Sequence, residues 1–572
     1  MTAEFDIDVT LASYQGRGRE ALLPILWDVQ SACGRISPEY VHRISHILRV
    51  PEADIFGVIG FYTLFHDEAT GRRIIRVCTD PTCALARADD ILRDVCARLS
   101  ISPDETTPDG EYTVEHSPCL GLCDYAPAAL VSARGRPDVA LPNVSAAGLL
   151  GEWNDEYFKP AGDDASVLLN PALNAAPETL AEYGDYASLR RAIKDMTPEE
   201  VIAQVEASGL IGRGGAAFPT GLKWKFTRGA DGDGKYIVCN ADESEPGTFK
   251  DRVLMEHRPH LLLEGVALAA YAVGTDKAYI FIRGEYPKAT AILADAIREA
   301  EAARLLGEQI FDSDFALDIE LRRGAGAYIC GEETALFEAI EGKRGFPRMK
   351  PPYPTTFGLF GAPTAVNNVE TLCAVPSIIE NGANWFKGIG TEGSAGPKLV
   401  SVSGHVRRPG VYEIEPGITL RTFLDDVCGG VIGDLQTVLM GGAAGTFLKP
   451  EDIDTRLTFE DLRAAGSTFG SGAIMVFNQS VDLRDVMKRL GRFFQHESCG
   501  KCFPCQLGTQ RQVEILERLD APQAGDAERL MDIGMTMTEA SICGLGHTAG
   551  IAVMSAIEKF PALFEANGKQ HG

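Results

Sequence analysis

The alternation of apolar and polar positions changes character several times along the chain, and each change predicts a different element. LLPILWDVQSACG (22–34) carries apolar residues at helical spacing, and Ser37-Pro38-Glu39 opens a second helix over YVHRISHILRV. Residues 1–72 therefore read as an N-terminal helical segment. From 73 to 145 the pattern becomes strand, helix, strand, strand: RIIRVC ends at Cys78, ARADDILRDVCARL is helical, YTVEHS runs into a cysteine loop, and ALVSARG is short and extended. The polar stretch 146–185, containing NPALNAAPETLAEYGD, predicts a linker. Over 186–395 the apolar runs KYIVCN (235–240), KAYIFIRG (277–284) and FALDIELRRG (315–324) are separated by helical stretches such as PKATAILADAIREAEAARLL, which predicts a mostly parallel sheet. Short strands, Gly and Pro turns and one helix predict a β-rich module over 396–480. Residues 481–572 read as helical.

Composition narrows the class. The chain has 572 residues, 45% hydrophobic and 23% charged, as expected of a soluble, multidomain α/β protein. Its formal net charge of -26 repels phosphate backbones, so nucleic-acid binding is not expected. No apolar run reaches the ~18 residues of a membrane span, so no direct membrane insertion is expected. The start MTAEFDIDVT lacks the basic and apolar stretches of a signal peptide. A cytoplasmic location with reduced thiols is the expectation.

Eight of the fourteen cysteines form two candidate ligand sets. Cys499, Cys502, Cys505 and Cys543 follow C-x2-C-x2-C plus one distant thiol, a spacing that suits a four-iron cluster. Zinc is the alternative, although it more often takes two separated pairs. Cys78, Cys83, Cys119 and Cys123 form two pairs in Pro- and Gly-rich loops, which suits a two-iron centre; zinc fits that spacing too. His116 and His496, beside these sets, are assigned no ligation. The six scattered cysteines (Cys33, Cys96, Cys239, Cys330, Cys373, Cys428) read as small buried hydrophobes.

Three loops carry nucleotide chemistry. GRGGAAFPTGLKW (212–224) formally matches the dinucleotide fingerprint at Gly212, Gly214 and Ala217. That fingerprint needs a strand in front, whereas TPEEVIAQVEASGLI reads as a helix, so a Rossmann turn is rejected. What remains is either a surface turn or a loop whose N–H groups approach phosphate, with Arg213, Lys223 and Lys225 as counter-charges. NADESEPG (240–247) follows a strand's C-terminal end, where α/β sheets place ligand groups. GAGAYICGEETAL (324–336) adds Glu332 and Glu333, which suit ribose hydroxyls and disfavour a 2′-phosphate, favouring NAD over NADP. Phe218, Phe226 and Tyr353 are candidate stacking walls. A nicotinamide exchanges electron pairs and clusters exchange single electrons, so two clusters beside a nucleotide loop imply a flavin between them.

These motifs, with KPPYP (350–354), NNVET (367–371) and ESCGKCFPC (497–505), resemble the flavin- and NADH-binding subunit of respiratory complex I. The region of Cys78 to Cys123 resembles that enzyme's thioredoxin-like two-iron subunit, here fused to it. The same modules occur in NAD-reducing hydrogenases and in molybdenum- or tungsten-dependent formate dehydrogenases, and fusion and length look most like the β subunit of the latter. The resemblance implies FMN against Gly212, Arg213, Gly214, Lys223, Asn240, Asp242 and Glu243, and near Tyr328, Gly331, Glu332, Asn367 and Asn368. It implies Glu245 close to the nicotinamide, Phe218, Phe226 and Tyr353 around the adenine, and Glu333 and Lys350 at the ribose. It further implies a [2Fe-2S] centre in a thioredoxin-like domain (73–145), a flavin domain (186–395), a ubiquitin-like β-grasp domain (396–480) and a [4Fe-4S] cluster in the C-terminal helices. The implied activity is NAD+ reduction, with electrons supplied by a large molybdenum- or tungsten-containing subunit carrying further clusters. A hydrogenase diaphorase or a fused complex I subunit is the alternative. Two departures stand out: Ala217 replaces the usual Gly, and Tyr353 a common Phe.

Overall fold

The structure is a computed structural model, which describes residues 7–157, 166–169, 176–232 and 234–565. Part of the expected linker, and residues 1–6 of the N-terminus, lie outside that set.

Of the N-terminal helices Ile7–Ser13, Leu22–Cys33, Pro38–Leu48 and Glu52–Ile59, the second and third form where the periodicity predicts them. Their buried residues, among them Leu26, Val41 and Ile44, share one core with Phe337 and Ile340 of the central region. The segment also grips a distant loop. Thr63 and Leu64 donate backbone N–H bonds to Gly326 and Ala325 at 3.1 and 3.0 Å, and Trp27 Nε1 donates to Gly324 at 3.2 Å. At Gly326, with φ 83°, an added Cβ would sit 2.5 Å from Thr63 Oγ1.

The first sheet contains β1 (Arg73–Cys78), β2 (Glu105–Thr106), β3 (Tyr112–Ser117), β4 (Ala129–Ala133) and β5 (Val139–Leu141), in the order β2-β3-β1-β4-β5. The helix Ala88–Leu99 lies in the crossover from β1 to its parallel neighbour β3, while β4 pairs antiparallel with β1. β1 is central, and its residues Ile74 to Cys78 are all buried, as a strand covered on both faces requires.

The second sheet is wholly parallel: β6 (Tyr236–Ala241), β7 (Lys277–Ile282), β8 (Asp318–Arg323) and β9 (Thr364–Asn368), ordered β8-β7-β6-β9. β9 is not among the strands expected from the pattern. TAVNN is five residues long and ends in two Asn, which deplete strands, so its extended form comes from pairing with β6. The helix Pro259–Val273 is buried along nearly its whole length and packs on Val369–Asn381.

The third sheet has β10 (Lys398–Gly404), β11 (Gly410–Ile414), β12 (Leu435–Met440), β13 (Thr446–Leu448) and β14 (Ala473–Asn478), ordered β11-β10-β14-β12-β13. Only β10 and β14 pair in parallel. Its core is separate and includes Val400, Phe423, Met440 and Val476. Glu413 of β11 accepts backbone N–H bonds from Val167, Leu168 and Leu169 at 2.7, 2.9 and 3.0 Å, docking part of the chain between the first two sheets. The C-terminal helices Leu483–Glu497, Phe503–Leu516, Asp526–Ala540, Gly544–Thr548 and Ile551–Lys559 complete the fold. Among the described residues no helix is long and apolar enough to cross a membrane.

Arg252 joins the first and second sheets. It donates to the Gly121 carbonyl at 2.8 Å and pairs with Asp124 and Glu256, both at 3.1 Å, with all the charged groups buried. Close packing elsewhere in the second unit rests on Gly265. A Cβ there would lie 2.1 Å from the Leu372 carbonyl oxygen, a backbone atom that cannot turn aside. Gly265→Ala is therefore expected to destabilise this unit by about 1–3 kcal/mol, measured as a lower thermal midpoint than the parent's.

Candidate functional site

The longest glycine loop runs from the helix Pro198–Ala207 to the helix Thr220–Gly229, so no strand enters it and the Rossmann turn is absent. A capping box at Thr197 and Glu200 starts the first helix. Gly212 N–H donates to the Phe218 carbonyl at 2.8 Å and closes the loop on itself. The loop lies flat on the end of β9, where a Cβ at Gly214 would be 3.1 Å from Asn368 Cβ.

Between this loop, the C-terminal ends of β6 and β9 and the second glycine loop lies a cavity of about 650 Å³, within the usual range for cofactor sites. It gathers much of the residue set expected from sequence. Gly212, Gly214 and Lys223 come from the first loop, Asn240 from β6, and Asn367 and Asn368 from β9. Gly331, Glu332 and Glu333 come from the second loop, with Lys350 and Tyr353 beyond it. Phe218, Phe226 and Tyr353 stand at the cavity 43%, 50% and 60% exposed. A depression of similar size lies between Arg17 and Phe360, but it is more open and Arg348 there is already paired with Glu338 and Glu341.

Six expected residues lie outside the cavity lining: Arg213, Lys225, Asp242, Glu243, Glu245 and Tyr328. Arg213 corrects the counter-charge expectation. Its guanidinium is buried, donates to the Ala395 carbonyl at 2.6 Å and sits 5.8 Å over the Phe459 ring, so only its backbone belongs to the loop. Lys225 faces Glu206 at 3.6 Å instead. Lys223 is the loop's remaining cation at the cavity. It donates to the Val366 carbonyl at 2.8 Å, and burial lowers its pKa.

The acidic residues of 240–247 also have individual tasks. Glu243 accepts N–H bonds from Asp251 and Arg252 at 2.8 and 2.9 Å, so it caps the helix Lys250–His257. Glu245 accepts from the Tyr328 hydroxyl and, at 2.7 Å, from the Ala444 N–H. Burial pushes its carboxyl up to about 7 against these bonds. Asp242 accepts from Ser244 at 3.1 Å through one oxygen; the other has no partner among the described residues. Burial raises Asp242 to about 8. That orphaned oxygen is 3.6 Å from where a Cβ on Gly331 would stand. Glu332 caps the helix Glu333–Ile340 by accepting from Thr334 and Ala335 N–H, and Lys350 pairs with both Glu332 and Glu333, at 2.9 and 2.7 Å. The glycine-lined loop, the ammonium groups of Lys223 and Lys350 and the amides of Asn240, Asn367 and Asn368 at the cavity fit FMN: a phosphate for Lys223 and the loop, and a polar ring edge for the amides.

Both thiol sets assemble. Cys78 ends β1, Cys83 lies in the helix Pro81–Leu85, and Cys119 and Cys123 follow β3; all are buried. The Cys119 and Cys123 sulfurs are 3.4 Å apart, and Cys78 lies against Cys83 and Cys119. Among the described residues no three His, Cys, Asp or Glu side chains converge on one point that could hold a single metal ion. A two-iron centre needs a pair for each iron instead. The Gly247 N–H, from the acidic loop of the second unit, lies near the Cys119 sulfur. In the second set, Cys502 and Cys543 are the residues immediately before the helices Phe503–Leu516 and Gly544–Thr548. Burial pushes the Cys543 thiol up to about 11, opposed by the nearby Gly546 and Leu545 N–H groups. Cys499 and Cys502 are half-buried, while Cys505 and Cys543 are buried.

Gly544, adjacent to Cys543, lines the cavity. Sequence reasoning missed it, along with Thr355, Thr364 and Val366, because none lies in a motif whose chemistry announces a ligand, and it missed Ala216 because a methyl side chain inside the glycine loop announces none. His116 lies 3.5 Å from Thr79 Oγ1 and joins no ligand set.

Four family models match the chain. They are the Nuo51 FMN-binding domain over 205–377, the thioredoxin-like [2Fe-2S] ferredoxin over 7–146, the NADH-ubiquinone oxidoreductase-F iron-sulfur binding region over 485–567, and the SLBB domain over 398–472. The NAD-reducing hydrogenase HoxS subunit alpha of Cupriavidus necator is 37% identical over 572 residues, covering 97% of this chain and 93% of that protein. The F 2 subunit of the NADH-quinone oxidoreductase of Rhizobium meliloti is 45% identical over 388 residues, covering 67% of this chain and 92% of that protein. A crystal structure of NAD+-reducing [NiFe]-hydrogenase in the air-oxidized state contains a chain that superposes with a TM-score of 0.85 at 35% identity, covering 97% of this chain and 95% of that one.

Two outcomes follow from the loop geometry. Ala217 has φ 53°, a left-handed conformation that strains an L side chain. Ala217→Gly is expected to stabilise the protein by about 1 kcal/mol, read as a raised thermal midpoint. For Glu245, a carboxyl held above its ordinary value is neutral in both folded and unfolded chains at low pH. Its penalty then grows as pH rises through the unfolded value toward about 7. Glu245→Gln should therefore gain stability over the parent between pH 5 and pH 8, by at most about 3 kcal/mol, measured by denaturation of the flavin-free protein at both pH values.

Proposed function

Because this chain belongs to the family of FMN- and iron–sulfur-bearing NADH oxidoreductase subunits, we propose that its cavity is where FMN and the nicotinamide nucleotide meet and that a partner subunit supplies the electrons. The chain is an NAD-linked diaphorase subunit with FMN, a thioredoxin-like [2Fe-2S] domain and a [4Fe-4S] region. One observation carries the reading of the cavity: Gly544, next to the [4Fe-4S] ligand candidate Cys543, lines the same space as Lys223 and Asn368.

FMN, when bound, supplies the exchange between electron pairs and single electrons. In this reading Gly212, Gly214 and Lys223 hold its phosphate, and Asn240, Asn367 and Asn368 hold the polar ring edge. Asp242 and Tyr328 close the site from behind, and Glu245 keeps a protonatable carboxyl beside the nicotinamide position. Phe218, Phe226 and Tyr353 cover the adenine, and their exposure supports that role. Glu333 and Lys350 meet the ribose. The eight cysteines Cys78, Cys83, Cys119, Cys123, Cys499, Cys502, Cys505 and Cys543 bind the clusters. This chain's task is to position and to exclude water; no residue needs to abstract a proton from substrate.

For the donor we favour a formate-oxidising molybdenum or tungsten subunit, on fusion and length, in a cytoplasmic assembly. A hydrogen-oxidising partner is the second reading, supported by the end-to-end match to the Cupriavidus necator protein. The isolated chain, reconstituted with FMN, iron and sulfide, is expected to reduce a dye with NADH and far more slowly with NADPH. Lys223→Ala should lose FMN and that activity together. Copurification with the native partner, followed by NAD+ reduction assays with formate and with hydrogen, decides the donor. NADH-independent protein that retains bound FMN would sink the cavity assignment.

A further inference from the structure

Behind the cavity wall lies a cluster of buried charges that none of the nucleotide contacts explains. Asn368 forms part of the wall, and its side-chain amide donates to Asp251 at 2.6 Å. Its oxygen accepts from the Glu370 N–H at 3.0 Å and from Lys250 Nζ at 3.5 Å. Lys250 Nζ also pairs with Asp251 at 2.7 Å and with Glu370 at 2.9 Å. Glu370 then crosses into the third sheet. It accepts from Lys398 Nζ at 2.8 Å and from the Leu399 N–H at 2.8 Å, both at the start of β10. Lys250, Glu370 and Lys398 are completely buried and Asp251 is 3% exposed.

Such a cluster is poor material for stability alone, since apolar side chains of the same volume usually serve as well or better. Its placement suggests another use. Two ammonium groups and two carboxylates balance one another within one side chain of the cavity, in a medium that screens them little. Arg213 adds a positive charge beside Glu370, and Glu243, whose carboxyl burial pushes up to about 7, lies near Lys250. Burial alone would raise the Glu370 carboxyl, but Lys250, Lys398 and Arg213 overcome this and hold it down at about 2.

We propose that the Lys250–Asp251–Glu370–Lys398 cluster is a positioning and tuning device for the flavin, by which the β-grasp module fixes Asn368 and sets the reduction potential of FMN. The inference rests on the cavity being the FMN site. Reduction adds negative charge to a flavin, so surplus positive charge behind the wall raises its potential and surplus negative charge lowers it. Glu370→Gln leaves two ammonium groups against one carboxylate. Lys398→Met leaves one ammonium group against two carboxylates. The double substitution restores balance.

The test uses the full chain reconstituted with FMN and both clusters. It reads FMN affinity from the fluorescence of released flavin and the flavin midpoint potential from a spectroelectrochemical titration. Glu370→Gln is expected to raise the potential and Lys398→Met to lower it. Each shift should correspond to about a tenfold change in the reduced-to-oxidised ratio, or ~30 mV for a two-electron couple. The double variant should return close to the parent, and FMN should be released more readily from both single variants. General loosening of the fold would move both single variants the same way. Equal-sign shifts, or no shift in either, would overturn the proposal. If the single variants do not fold, the balanced double variant must fold and keep the parental potential; its failure to fold would make the cluster purely structural and end the proposal. Lys223→Ala and Asn368→Ala serve as the separate check on the site: if both keep FMN, the cavity assignment fails, whereas loss of FMN there beside unmoved potentials in the cluster variants sinks the tuning role alone.

Discussion

The parallel pairing of β6 with β9 sets Asn240 opposite Asn368 and Cys239 opposite Asn367, and the rest of the site is assembled around that register. A slip of one residue would turn the two amides to opposite faces of the sheet. With the register fixed, the acidic loop leaves β6 and the helix Val369–Asn381 leaves β9 at the same edge. The long glycine loop can then lie on Asn368 without an intervening side chain. The open end of a parallel sheet is where ligands are expected to bind; here the edge is roofed by a loop that comes from between two helices.

The second constraint is the treatment of buried charge. The acidic segment around Asp242, Glu243 and Glu245 would be untenable as three free carboxylates in the protein interior. Two are relieved by bonds, Glu243 by helix N–H groups and Glu245 by a hydroxyl and a loop N–H, while Asp242 keeps one oxygen unused. Arg283 bridges this segment to the [2Fe-2S] domain: one nitrogen donates to the Glu243 carbonyl at 2.8 Å, another to the Cys119 carbonyl at 2.7 Å. With Arg252 it makes the thioredoxin-like unit part of the flavin unit's wall. The backbone at Cys119 is thus held by a residue of the second unit.

Much of this was legible in the sequence, for identifiable reasons. Helices and the longer strands announce themselves because their period is local, as over 22–34, 277–284 and 287–306. The thiol sets announce themselves because iron demands a fixed ligand type. Absence of a strand before Gly212 was enough to exclude the Rossmann turn. What stayed hidden depends on pairing at long range. TAVNN becomes a strand only beside β6, Gly544 faces the cavity only because the C-terminal helices fold back over it, and the Arg213 side chain turns away because Ala395 and Phe459 are there to receive it. Charge in a motif does not say which way a long side chain will lie.

The bonds from Trp27, Thr63 and Leu64 to Gly324, Ala325 and Gly326 join parts of the polypeptide that are synthesised far apart in time. The early helices leave the ribosome with their apolar faces uncovered, and the loop they clasp emerges only after β8 has been made. Such late, non-local closure is slow and leaves sticky surface exposed in the interval. The second glycine loop is held in the folded protein by those bonds, so in this fused polypeptide the shape of the cavity depends on the earliest and the middle thirds of the chain having found each other.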